Sequence, residues 1–308
     1  MSEHQLIGFS QRIQLEWLER TANLILAGNS RDEVRTALRI ILEEKLSVGA
    51  NPKGGNREKA ISILLRIWTS VPEHLIPLRD TGLRLIDELP ASDHLPLHWG
   101  MSAAIYPFFG GVAEATGRLL RLQGTAAAVQ IQRRVREQYG ERETVARAAR
   151  RVLRCFIDWR VLQETSEKGV YGAALEYNIK ERSVAAWLVE AFMHASSQNI
   201  TSLKAIAQSP MLFPFKINPY DVTATNSGGH LEFFRQGVDE EVVQMPDSLQ
   251  HGPWGKALQL GGDLWSRCCL SLATLVLVVL DRANVFLALT HRVRCHEIDQ
   301  DGPLELMD

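Results

Sequence analysis

The chain has 308 residues, of which 45% are hydrophobic and 23% are charged. These proportions are ordinary for a globular protein, so they exclude a wholly disordered chain and indicate a real hydrophobic core. Four cysteines without a CxxC pair fit a reducing cytoplasm, and the opening MSEHQLIGFSQR lacks the basic and apolar regions of a secretory signal. We therefore expect a cytoplasmic protein.

The first third of the chain contains many residues that typically start or end helices. Capping residues and apolar spacing predict helices over about residues 10–26, 30–46 and 56–68, followed by short helices to residue 89. Ser10, Ser30 and Asn56 supply the N-caps, and Pro72 suits a first helical position. Residues 1–110 are therefore predicted to form an N-terminal helical bundle.

In the middle of the chain the predicted helices continue and are then followed by short strands. Helices are predicted over about residues 111–122, 125–139 and 144–159, then a β-hairpin from the strands 161–164 and 170–171. Further helices are predicted over 181–195 and 202–208, and a second short hairpin from 231–235 and 241–243. The sequence predicts a mainly α fold with a domain at 111–245, then a linker and an apolar C-terminal helix over 246–308.

The predicted helix that begins near Thr144 has two chemically different faces. At about 100° per residue its apolar residues fall in one narrow sector: Val145, Ala148, Ala149, Val152, Phe156 and Trp159. The four arginines of the helix fall in the opposite sector: Arg147, Arg150, Arg151 and Arg154. On that face the sequence offers no acidic partner except Asp158.

This helix lies in a strongly basic block within an otherwise acidic chain. Residues 118–160 contain eleven arginines and four acidic residues, a net charge of +7, so the remainder of the chain carries −9. A polyanion responds to such local charge rather than to the net charge of −2.

A helix, a tight turn with Gly140, a basic helix and a hairpin follow one another in the order of a winged helix-turn-helix. In that fold the second helix lies in the major groove of DNA and the hairpin contacts the backbone. Arginine suits both tasks, because its planar fork matches guanine edges and phosphate oxygens. The predicted nucleic-acid contacts are Arg133, Arg134, Arg142, Thr144, Arg147, Arg150, Arg151, Arg154 and Lys168, and the predicted partner is double-stranded DNA.

Two alternative interpretations of this segment stay open. A winged helix can dock another protein, so the chain is alternatively a scaffold that uses this fold or its apolar tail. In the second alternative the arginine face is only the solvated surface of an ordinary helix, and the hairpin that follows it has no functional connection with it.

Other kinds of site are weakly indicated. The loop 51–57 lacks the order of a P-loop, and Asp239, Glu240 and Glu241 are typical of a turn as well as of a magnesium site. Cysteines and histidines of the tail offer a zinc site without paired short spacing: Cys268, Cys269, His291, Cys295 and His296. The apolar run 268–280 is too short to span a bilayer. We predict no catalytic residue, metal, cofactor or membrane contact.

Four passages carry a resemblance to a known family. They are GFSQRIQLEWLE, RETVARAARRVLRCFIDWRVL, SPMLFPFKI (209–217) and HLEFFRQGVDEEVV (230–243), within residues 8–245. Their order resembles BrxA, the small helical protein of BREX phage-defence systems. The resemblance implies a DNA-binding, all-helical protein with winged-helix character, working with other proteins of a bacterial defence complex. The tail after Met245 departs from that pattern.

Overall fold

The computed structural model describes residues 7–46, 55–174, 176–223, 231–236 and 240–246. Over these residues the chain is mainly helical, as the sequence predicts. The α-helices are α1 Leu15–Leu26, α2 Arg31–Ile41, α3 Asn56–Trp68, α4 Ile76–Glu88, α5 Leu95–Ile105, α6 Pro107–Gln123, α7 Ala128–Tyr139, α8 Glu143–Asp158, α9 Arg182–Ser196, α10 Leu203–Ala207 and α11 Pro219–Thr223.

Short strands form small sheets between the helices. They are β1 Thr125–Ala127, β2 Leu162–Glu164, β3 Val170–Ala173, β4 Tyr177–Asn178, β5 Ile200–Ser202, β6 Phe215–Lys216, β7 Glu232–Gln236 and β8 Glu240–Gln244. The sheets have the strand orders β1-β3-β2, β4-β6 and β5-β8-β7; the first and third are antiparallel and the second is parallel. Both predicted hairpins are therefore present, as β2-β3 and β7-β8.

The N-terminal segment differs from the sequence prediction. The helix predicted to start at Ser10 begins at Leu15, and the residues before it lie against α8. The backbone N–H of Ile13 donates to Cys155 Sγ at 3.1 Å, and Trp159 Nε1 donates to the Ile13 carbonyl at 2.9 Å. Burial of Ile13 and these long-range hydrogen bonds outweigh the local preference for a helix.

The start of α7 also differs from the prediction. Residues 125–127 form β1 rather than helix, with Ala126 opposite Tyr171 of β3. The hairpin offers this segment a backbone partner that sequence periodicity does not reveal. The helix then begins at Ala128, whose N–H donates to the Gly169 carbonyl at 2.8 Å.

One hydrophobic core joins the predicted N-terminal bundle to the segment that follows it. Trp99 of α5 stacks on Phe156 of α8 with ring centroids 4.7 Å apart, and Phe109 of α6 meets Phe156 at 5.3 Å. The predicted boundary between residues 110 and 111 falls inside α6. The described residues belong to one compact unit, Met1–Gln250.

Several sequence predictions fall outside the described residues. These are the tail from 247 onward with its apolar run and its candidate zinc ligands, most of the loop 51–57, and Asp239 of the acidic group. Of the helices that the structure describes, none is both long and apolar enough to cross a membrane.

Candidate nucleic-acid interface

The elements α6, β1, α7, α8, β2 and β3 follow one another without interruption and pack together. Gly140 lies between α7 and α8 with φ of 101°, a backbone conformation that residues with a Cβ rarely adopt. The N–H of Arg142 donates to the Gly140 carbonyl at 2.8 Å, so the chain reverses within the residues 140–142. A short glycine turn thus holds α8 against α7.

Helix α8 separates its apolar and cationic faces as predicted. All the residues of the predicted apolar sector are buried: Val145, Ala148, Ala149, Val152, Phe156 and Trp159. Arg147, Arg150 and Arg154 are exposed. They are spaced three and four residues apart, so their side chains lie along one stripe of the helix. We call these three residues the α8 arginine stripe.

The prediction that this face lacks acidic partners except Asp158 is wrong. Glu143, in the first turn of α8, pairs with Arg150 at 2.7 Å. Glu164 of β2 pairs with Arg154 at 3.0 Å. Asp158 instead accepts hydrogen bonds from Arg12, which lies far away in the sequence.

The ion pairs leave the stripe accessible. The side chains of Arg150 and Arg154 are each 54% exposed, and such pairs contribute only about 0–1 kcal/mol. Arg147 makes no ion pair or hydrogen bond with any described residue. A polyanion can therefore displace Glu143 and Glu164 from the stripe at small cost.

Arg151 differs from the other three arginines of α8. It is half-buried and donates a hydrogen bond to the carbonyl oxygen of Ser10. The structure therefore places it at the contact between α8 and the N-terminal segment, where it holds the two together, rather than in the stripe.

The arginines predicted on the preceding helix fall in different surroundings. Arg133 is exposed and pairs with Glu137 at 3.4 Å. Arg134 lies in a shallow depression between α6 and α7, beside Arg118 and Glu114. Among the described residues, none that lines this depression belongs to the α8 arginine stripe.

The start of α8 carries two further predicted residues. Arg142 occupies the N-cap position and donates from its guanidinium to the Tyr139 carbonyl at 3.2 Å. Thr144 is exposed in the first turn. Thr144 precedes Arg147 by three positions, so the two lie on the same side of the first turns of α8, and Arg142 directly precedes the helix.

The β2-β3 hairpin presents Lys168 at its tip. Thr165 shapes the turn: its N–H donates to the Val170 carbonyl at 3.1 Å, and its hydroxyl accepts from the N–H of Glu167 at 3.3 Å. Gly169 completes it with φ of 81°. Lys168 is exposed, as a phosphate contact requires, but Glu164 and Glu167 lie on the same hairpin. The hairpin is therefore not a basic surface.

Sequence reasoning did not select two residues beside α8. Arg12 is tied to Asp158 at the end of the helix, a pairing across 146 positions that no local pattern signals. Arg160 follows α8 with φ of 58° and an exposed side chain. Its place directly after the helix could have been noticed from its position in the basic block.

No protein-family model, curated protein or solved structure matches this chain. Within the described part of the chain, no group of three or more His, Cys, Asp or Glu residues is placed to hold a metal ion.

Proposed function

We propose that residues 107–173 are a winged helix-turn-helix that binds double-stranded DNA, and that the protein is a non-enzymatic DNA-binding accessory. The observation that carries the proposal is the α8 arginine stripe. It is exposed opposite a fully buried apolar face, between a glycine turn and an antiparallel hairpin.

In the proposed complex α8 lies in the major groove. Arg147, nearest the start of the helix among the stripe residues, faces base edges or the adjacent phosphates. Arg150 and Arg154 exchange their carboxylates for phosphate oxygens, which a guanidinium fork can also bind through two parallel hydrogen bonds. Lys168 reaches the backbone from the hairpin.

The acidic partners of the stripe, Glu143 and Glu164, should weaken DNA binding. Each pair that opens leaves Glu143 or Glu164 close to the DNA, where like charges repel. We therefore expect modest affinity that falls steeply with salt, because neutralising each phosphate releases counterions.

The defence role and the alternative of protein docking are supported by different observations. A role within a phage-defence complex is supported by the sequence resemblance alone. Protein docking through the same surface is the second candidate, favoured by the mixed charge of the stripe and hairpin, since alternating cations and acids suit a complementary protein face.

The test measures binding to a random-sequence duplex at rising salt. The variant carries Arg147→Ala, Arg150→Ala and Arg154→Ala, and leaves Arg151 in place because it holds the Ser10 carbonyl. A matched control carries Arg20→Ala, Arg79→Ala and Arg84→Ala, which removes three ion-paired arginines of α1 and α4. Both must first show the wild-type circular dichroism spectrum.

We expect the stripe variant to lose affinity and to show a smaller slope of log affinity against log salt. The slope should fall by about 0.9 for each phosphate contact removed. The control should bind as the wild type does. Equal binding by all three proteins would contradict the stripe as the contact, and a nuclease-resistant stoichiometric protein partner with no DNA binding would favour docking.

A further inference from the structure

A cavity of about 860 Å³ opens on the N-terminal half of the protein, separate from the α8 arginine stripe. The N-terminal segment, α2, α3, the junction of α5 with α6, and the end of α9 surround it. Its volume is within the range of small-molecule sites, which is roughly 300–1,000 Å³.

The cavity is strongly basic. Its charged lining consists of Arg31, Arg35, Lys59 and Arg66 with one acid, Glu58. The local net charge is thus +3, with the histidines neutral, in a chain whose net charge is −2. Concave walls of low dielectric concentrate such a field, so an anion is attracted into the cavity.

The hydrogen-bond and ion-pair partners of these cations neutralise only part of the positive charge. Glu58 is shared between Arg35 at 3.5 Å and Arg39 at 2.8 Å, so it only partly neutralises the wall. Arg31 donates to the Ser70 hydroxyl at 2.8 Å and approaches the highly exposed carboxylate of Asp32 only to 4.0 Å, so its charge is weakly neutralised. Arg66 makes no ion pair or hydrogen bond within the described residues.

A largely buried tyrosine lies on the same cavity wall. Tyr106 is 7% exposed, and its ring packs edge-on against Phe9 with centroids 5.4 Å apart. The Tyr106 hydroxyl forms no hydrogen bond with a described residue, so it is available to a ligand in the cavity that Tyr106 lines. Burial raises the pKa of Tyr106, so the hydroxyl stays protonated and can donate.

We propose that this cavity binds a phosphate-bearing small molecule of about nucleotide size. Arg66, Arg35 and Lys59 neutralise the phosphate oxygens, and Tyr106 donates a hydrogen bond to one of them. Apolar lining residues, among them Ile63, Leu75 and Ile105, accept the organic part of the ligand. A duplex is too wide to bring its phosphates to a residue as buried as Tyr106, so a free phosphate compound fits better than DNA.

The test is isothermal titration calorimetry without magnesium, using ATP, tripolyphosphate and adenosine as probes. The variants are Arg66→Ala and Tyr106→Phe, and the control is Arg84→Ala, an exposed residue of α4 paired with Glu88. Tyr106→Phe keeps the ring packing, so it separates loss of the hydroxyl from loss of the fold.

We expect wild type and control to bind ATP and tripolyphosphate but not adenosine. Arg66→Ala should weaken binding about tenfold or more, and Tyr106→Phe about fivefold or more, because hydrogen bonds to charged groups are strong. Absence of binding by the wild type, or equal binding by Arg66→Ala, overturns the proposal.

The outcome is independent of the DNA-binding proposal. The stripe variant should bind ATP as the wild type does, even where it has lost duplex binding. If Arg66→Ala weakens duplex binding while neither phosphate compound binds, the cavity belongs to the nucleic-acid surface and the small-molecule proposal is wrong.

Discussion

Glu19 of α1 is hydrogen-bonded to His94, directly before α5, and to His98 within α5, beneath the surface of the helical bundle. Its carboxylate accepts from His94 Nδ1 at 3.0 Å and from His98 Nε2 at 2.8 Å. Trp68 Nε1 donates to His98 Nδ1 at 3.2 Å, while His94 Nε2 donates to the Leu89 carbonyl at 2.9 Å. His98 Nδ1 accepts a hydrogen bond from Trp68, so this nitrogen carries no proton and His98 is neutral. Both nitrogens of His94 face acceptors, so both carry a proton and His94 is charged.

These hydrogen bonds move the three pKa values in different directions. The two histidine donors lower the pKa of Glu19 far below its usual range. Burial lowers the pKa of His98. Burial acts in the same direction on His94, but its hydrogen bonds to Glu19 and Leu89 outweigh that effect and raise its pKa.

The two histidines should therefore shape opposite sides of the pH–stability profile. The unfolded chain binds a proton at His98 below about pH 6.5 that the folded protein takes up less readily, so stability falls as the pH drops. The folded protein holds the His94 proton above about pH 6.5, so that contribution is lost as the pH rises through the raised pKa.

We predict that His98→Gln makes the acid side of the profile shallower and that His94→Gln makes the alkaline side shallower. Each slope changes by up to about 1.4 kcal/mol per pH unit, the value for one proton. Urea unfolding between pH 5 and pH 8 measures both slopes, and each variant is the control for the other. Identical profiles for the two variants would contradict the assigned protonation states.

Among the helices, α2 has the clearest terminal signal. The Ser30 hydroxyl accepts from the N–H of Glu33, and the Glu33 carboxylate accepts from the N–H of Ser30 at 2.7 Å. This capping box satisfies two of the unpaired N–H groups at the helix start. It is a local arrangement, which is why the sequence predicted the start of α2 correctly.

Ser30→Ala should lower the free energy of unfolding by about 1 kcal/mol, because the N3 N–H loses its acceptor. Ser62→Ala is the control: Ser62 is exposed within α3 and its hydroxyl donates to the Glu58 carbonyl, a bond that contributes little to a helix. Urea denaturation of the two variants gives the comparison. A loss as large in Ser62→Ala would show that the cap is not responsible.

Helix α6 depends on a close approach at Gly117. A Cβ at this position would lie 2.2 Å from the carbonyl oxygen of Pro210 and 2.8 Å from Cβ of Phe213. Backbone atoms of a packed turn cannot move aside as the end of a side chain can. The close packing of α6 on the segment around Pro210 therefore requires glycine.

Gly117→Ala should lower the free energy of unfolding by roughly 1–3 kcal/mol, although alanine favours a helix over glycine. Gly110→Ala in the same helix is the matched control, because its Cβ would meet only the flexible side chain of Met211 at 3.3 Å. Thermal unfolding distinguishes the two, and a stabilised Gly117→Ala protein would contradict this account of the packing.

At the scale of the whole molecule, α8 is supported from two directions. The core residues Trp99 and Phe109 lie under its apolar face. Its outer edge is held by the N-terminal segment, through Arg12 with Asp158 and Arg151 with Ser10. The candidate DNA-binding helix is thus fixed by residues from the first and the middle parts of the chain, although the sequence favoured two separate domains there.

The sequence by itself determined most of the helices, although not α5 or α11, together with the break at Gly140, both hairpins and the two faces of α8. These depend on neighbours within a few positions, through periodicity, capping and glycine backbone freedom. Only the tertiary structure decided which arginines of α8 are exposed and that Glu143 and Glu164 form ion pairs with the stripe. It also decided that residues 125–127 form a strand and that a basic cavity forms beside Tyr106. Those features join segments distant in the chain, and a local pattern carries no information about which distant groups packing brings into contact.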